Sequence, residues 1–175
     1  MKNLKKWVIF NILFIIIVGS LSHFIYGGSD SNKIIGIFVA VNESTWEHMK
    51  LLMFPMLILM VVEYPFLKSN KNIFVGYFLS LLISVVLIPL LFYGYTFILG
   101  DNFLILDISI FIISVIIGQL VFYKIMKMKK ISKLCSKMSI VGIILILLSY
   151  FIFTYYPLEI FLFKDPITNN YGIVN

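Results

Sequence analysis

With 175 residues, 61% of them hydrophobic, 13% charged and a formal net charge of +6, the chain does not have the make-up of a water-soluble globule, which carries about 25% charged and about 45–50% apolar residues. The same numbers exclude a disordered, collagenous or disulfide-stapled chain. Several runs reach the ~20 apolar residues needed to cross a bilayer. The expected class is therefore all-α, a polytopic membrane helix bundle of about five spans.

The first apolar run, about 7–26, follows Lys2, Lys5 and Lys6. A signal peptide has a similar layout, but its apolar core is usually ~7–15 residues. The longer run here reads as an uncleaved first span. A loop over 27–33 leads to a short apolar piece, Ile34 to Val41, which is too short to span and should pack on the bundle or dip into the interface. The second span, about 44–67, opens on Ser44-Thr45-Trp46-Glu47. This fits the S-x-x-E capping box, in which both side chains satisfy free backbone N–H groups. Pro55 and Pro65 predict a kink. The third span is about 73–99, with Pro89 as a second kink, and Gly100-Asp101-Asn102 reads as a turn. The fourth is about 103–123. A basic loop from Lys124 to Lys137 then holds six lysines, and the fifth span, about 138–156, stops at Pro157. An amphipathic tail covers 158–175. No repeat and no soluble portion is legible, so residues 1–175 read as one integral membrane domain.

Short-loop lysines orient such a bundle. Placing the N-terminus in the cytoplasm and the C-terminus outside puts Lys2, Lys5, Lys6, Lys68, Lys71 and the 124–137 cluster on the cytoplasmic side. Only Lys33, Lys50 and Lys164 remain outside. The expected location is a cell membrane, with multiple passes. All the basic residues are lysine, so the planar fork that arginine offers to phosphate is missing, and a nucleic-acid partner is not expected. The partner implied is the lipid bilayer. A homo-oligomer is compatible with the sequence, since a dimer would supply the inverted repeat that one chain lacks. Cys135 is the only cysteine, which excludes an internal disulfide and CxxC metal sites.

In this orientation His23 and His48 lie at the outer ends of the first two spans. Seven of the eight acids are also outside, and Glu63 alone lies toward the cytoplasm, where it reads as an interfacial acid near Lys68. A site should therefore face outward. Its densest chemistry is the block Asn42-Glu43-Ser44-Thr45-Trp46-Glu47-His48-Met49-Lys50. Glu43, Glu47 and Lys50 recur at i, i+4 and i+7, which places them on one helix face. Lys50 lies ~9 Å along the helix from Ser44, a depth at which a charge should face protein or water. The catalytic candidates are His48 and Glu47 as base and acid, with His23 and Glu43. The substrate-binding candidates are Lys50, Asp107, Asp165 and Trp46. Plainer roles compete: a cap for Glu47, a snorkelling Lys50, an interface aromatic for Trp46, a first-turn acid for Asp107 and a turn for Asp165. A divalent metal such as zinc is a further option. His23 and His48 with one of Glu43, Glu47, Asp107 or Asp165 would give three N/O ligands and an open position, and a metal-free His–Glu pair fits as well.

The block at 42–50, with Leu51-Leu52-Met53-Phe54-Pro55 after it, resembles a family of small uncharacterised bacterial membrane proteins carrying N-E-S-x-W-E-H-x-K before an apolar, proline-containing helix. The likeness runs from Ser22-His23-Phe24-Ile25-Tyr26 to Phe163-Lys164-Asp165-Pro166 and Tyr171-Gly172. The resemblance implies the fold and brings no activity. Three functions stay open at this point: an outward-facing enzyme acting on a lipid or membrane-associated substrate, a small-solute or proton-coupled transporter subunit, and a structural or regulatory subunit.

Overall fold

The computed structural model describes residues 3–173. Lys2, counted above with the cytoplasmic lysines, and the last two tail residues lie outside them. Among the described residues, five helices are long and apolar enough to cross a membrane. They are α1 (Leu4–Ser22), α3 (Thr45–Leu67), α4 (Ile73–Leu99), α5 (Leu104–Lys127) and α6 (Lys133–Tyr155), while α2 (Ile25–Gly28) is a single turn. At 1.5 Å per residue, the 23 residues of α3 extend roughly 35 Å, enough for a hydrocarbon core of about 30 Å.

α1 packs on α3 and α5, α3 on α4, and α4 on α5, so these four helices close a ring. α6 lies outside it against α4. Ile15, Leu52, Met53, Leu81 and Val115 fill the centre of the ring. Val8, Leu67, Tyr77 and Phe122 fill the end that carries the lysines. α1 and α6 turn Ile9, Leu13, Ile144 and Leu145 outward, as helices facing lipid do. Between α4 and α5 the backbones come close: Ser80 Oγ donates to Gly118 O at 2.7 Å and Ser84 Oγ to Ser114 O at 3.1 Å. With lipid outside, small residues and hydroxyl bonds hold helices together where apolar burial contributes little.

α3 runs unbroken through Pro55 and Pro65, and α4 through Pro89. Pro55 has no N–H, so the Leu51 carbonyl one turn earlier loses its helical donor. Gly19 of α1 lies against that carbonyl; a Cβ there would collide with Leu51 O and stand 2.7 Å from the Phe111 ring. This contact fixes α1 on α3 one turn below their outer ends.

Glu63 is not an interfacial acid. It is fully buried, and Tyr77 Oη donates to its Oε2 at 3.3 Å. The Asn11 amide is within hydrogen-bond reach of it, and Asn11 Nδ2 donates to Gln119 Oε1 at 3.0 Å. Tyr77, Glu63, Asn11 and Gln119 come from α4, α3, α1 and α5, one from each helix of the ring. The sequence placed Glu63 near a span end by counting; its helix phase turns it inward.

The piece after the first loop forms a 3-10 turn at Ile35–Ile37 and packs on the bundle, with Val39 and Ala40 buried. The tail folds back as well. Phe163 is buried, Lys164 pairs with Tyr171 in a single antiparallel bridge, and Asn42 Nδ2 donates to Gly172 O at 2.9 Å.

Candidate metal centre

The outer end of the bundle begins with two helix ends. α1 stops at Ser22, whose hydroxyl donates to Gly19 O at 2.7 Å, and Phe24 N bonds to Leu21 O in a tightened last turn. His23 is thus the residue that closes α1, three residues before the sequence-based limit at 26. α3 starts at Thr45 with Ser44 as its extended N-cap, φ −68° and ψ 151°. Ser44 Oγ accepts from Glu47 N at 3.3 Å, one half of the capping box. The other half is absent: Ser44 N bonds to Asn42 Oδ1 at 2.9 Å. The Glu47 carboxylate turns instead to Lys50 Nζ, whose ammonium makes the stronger charge-assisted bond, and to Val41 N, at 2.5 and 3.0 Å.

The extended N-cap also breaks the helical phase. Glu43 precedes the helix and does not share a face with Glu47 and Lys50 as the i, i+4, i+7 spacing suggested. Its carboxylate meets the histidines. Glu43 Oε2 lies 3.5 Å from His23 Nε2 and 3.3 Å from His48 Nε2, and the two Nε2 atoms are 3.3 Å apart. Hydrogen bonds from His23 and then His48 hold the Glu43 carboxyl well below the usual carboxylate range. His23, Glu43 and His48 are the only group of three ligand-type residues clustered this closely among the described residues.

These spacings match those of a tetrahedral ion. Ligands at about 2.0–2.1 Å from zinc stand about 1.63 bond lengths from one another, or about 3.3–3.4 Å. His48 Nδ1 lies 3.0 Å from Ser44 O. With an ion in place of the hydrogen that His48 gives to Glu43, a proton kept on Nδ1 and donated to that carbonyl would leave the Nε2 lone pair for the metal, which is the arrangement that orients a metal-binding imidazole. The side chains are about one-third exposed for the histidines, 32% and 33%, and 41% for Glu43, so a fourth position opens to water.

The other sequence candidates sit elsewhere. Glu47 and Lys50 form a buried pair, and Lys50 Nζ also donates to Gly36 O at 2.9 Å. Neither points at the histidines' ring nitrogens. Trp46 stacks on Tyr150 of α6 with ring centroids 4.3 Å apart, and packs on Phe163 at 4.6 Å. Asp107, in the first turn of α5, accepts from Tyr95 Oη and from Asn102 Nδ2, and its charge reaches the His48 imidazole. Asp165 builds a turn: its carboxylate accepts from Ile167 N at 2.9 Å and Thr168 Oγ1 at 2.8 Å.

The molecule is thus a multi-pass membrane protein with a His23/Glu43/His48 polar cluster at one end of its bundle. No curated protein and no solved structure matches the chain. A family model described as "Family of unknown function (DUF6512)" matches residues 1–173, and on that match the chain belongs to the DUF6512 family.

Proposed function

We propose that the protein is a membrane-embedded metal-dependent enzyme. In this reading His23, Glu43 and His48 hold one divalent ion of the zinc class at the outer face of the bundle. The observation that carries the reading is the triangle of Nε2, Nε2 and Oε2 atoms with edges of 3.3, 3.3 and 3.5 Å, each close to a tetrahedral edge about a small divalent ion. Three protein ligands with an open fourth position are the pattern of catalytic rather than structural zinc sites. An ion held there would make a water at the open position acidic enough to ionise near neutral pH, the requirement for hydrolysis. The cluster stands where the apolar spans end, so the substrate class it suits is a lipid or a membrane-associated molecule. The lysine asymmetry of the loops supports an outward-facing site with the N-terminus in the cytoplasm.

A metal-free acid/base pair is the second reading. It is favoured by the hydrogen-bond distance between the two Nε2 atoms and the carboxylate that joins them.

Metal content separates the two. The purified chain, stripped with chelator and titrated with zinc in detergent, should take up one ion per chain. Glu43→Ala and His48→Ala should each weaken uptake at least ~10-fold, the usual scale for losing a metal-site partner. No uptake by the wild-type chain would overturn the metal reading and leave the acid/base pair.

A further inference from the structure

At the opposite end of the bundle is a cavity of about 570 Å³, within the roughly 300–1,000 Å³ range of small-molecule sites. Five lysines line it: Lys68, Lys71, Lys130, Lys133 and Lys137. They come from three separate places, namely the end of α3 and the loop after it, the loop before α6, and the first turns of α6 itself. Among the described residues no acid lines the cavity, so no carboxylate on its walls neutralises the five charges. The starts of α4 and α6 both open onto it through Ile73 and Lys133, and each adds the partial positive charge of a helix N-terminus.

The rest of the lining mixes polar Asn70 and Ser136 with apolar residues. Tyr64, Phe74 and Ile140 belong to the membrane-spanning parts of α3, α4 and α6. The cavity therefore straddles the level at which the spans meet water. Its rim is cationic and its lower wall is oily, a division that matches one amphipathic molecule and not a soluble ion.

We propose that this cavity is a binding site for an anionic phospholipid, with the headgroup phosphate among Lys68, Lys71, Lys130, Lys133 and Lys137 and the first part of an acyl chain along Phe74 and Ile140. Basic pockets between spans at the lysine-rich side of a bundle are suited to such headgroups. Lysine serves here as a mobile point charge, and five of them around one cavity replace the geometric fork that arginine would give. The site is independent of the histidine cluster, which lies at the other end of α3.

The full chain in nonionic detergent, mixed with phosphatidylglycerol or phosphatidylcholine and read by native mass spectrometry, tests this. Phosphatidylglycerol should remain bound at concentrations where phosphatidylcholine does not. The triple variant Lys71→Gln, Lys133→Gln, Lys137→Gln should weaken its binding on the order of 100-fold. A control, Lys124→Gln, Lys127→Gln, Lys129→Gln, removes the same charge from the same end but outside the cavity, and should retain the lipid. Equal retention of the two lipids, or equal loss in both triple variants, would overturn the proposal. Displacement of phosphatidylglycerol by millimolar inorganic phosphate at constant ionic strength would overturn it too, by showing a site for a soluble anion.

Discussion

Gly19 of α1 lies directly against the Leu51 carbonyl of α3, the carbonyl that Pro55 leaves without its helical donor. The contact is four residues before His23 and three after His48, so it sets the distance between the two imidazoles. Gly19→Ala forces a methyl into backbone, where nothing can rotate away. It should cost about 1–3 kcal/mol, the range for overpacking, and should weaken zinc uptake at His23 and His48 more than the loss of stability alone explains. Detergent melting curves beside metal titration check both; unchanged uptake would show that this contact does not position the histidines.

Lys50 and Glu47 form a buried pair that should not tolerate half-removal. Lys50 is fully buried and Glu47 is 2% exposed. Lys50→Met leaves a carboxylate without its cation and should destabilise by about 3–5 kcal/mol. Glu47→Gln strands the ammonium and should be similarly costly. The double variant removes both charges and should recover most of the loss. A double-mutant cycle on thermal unfolding measures this coupling, and additive effects would refute it.

Glu63 should accept a neutral replacement. Its Oε1 and the Asn11 Oδ1 are both buried acceptors without a donor. The amide of a glutamine at this position would supply one. Glu63→Gln should therefore lie within about 1 kcal/mol of wild type, while Glu63→Ala should cost about 2–5 kcal/mol through a cavity and a stranded Tyr77 hydroxyl. Equal losses from the two variants would mean that the residue acts as a carboxylate.

Cys135 reports the orientation. It is exposed in the first turn of α6, beside the basic loop. An impermeant maleimide should label it in inverted vesicles and leave it untouched in intact spheroplasts. Labelling from outside would place the histidine cluster in the cytoplasm.

The bundle was legible because each span is a long, predominantly apolar run with lysines at one end. That His23 and His48 lie at the same end of the bundle was legible too, since each stands at the outer end of one of the first two spans, which run in opposite directions. The choice between Glu43 and Glu47 was not. It turns on a single extended residue, Ser44, which takes Glu43 out of helical phase and leaves Glu47 to Lys50. The sequence offered one signal, for a residue ahead of an N-cap cannot share the helix face of residues behind it. Glu63 was misread for a different reason: depth along a span can be counted, but the side of the helix that faces protein depends on neighbours the count does not see.

The stacking of Trp46 on Tyr150 and Phe163 has a consequence for the order in which the protein becomes complete. Glu43 and His48 flank Trp46 and leave the ribosome with the first third of the chain. The rings that grip Trp46 belong to α6 and the tail, which are made last. The segment carrying two of the three clustered side chains gains this support only after α6 has crossed the membrane, so the first two spans can set the spacing of the imidazoles through Gly19 and Leu51, while the packing behind Glu43 and His48 is completed by the end of the chain.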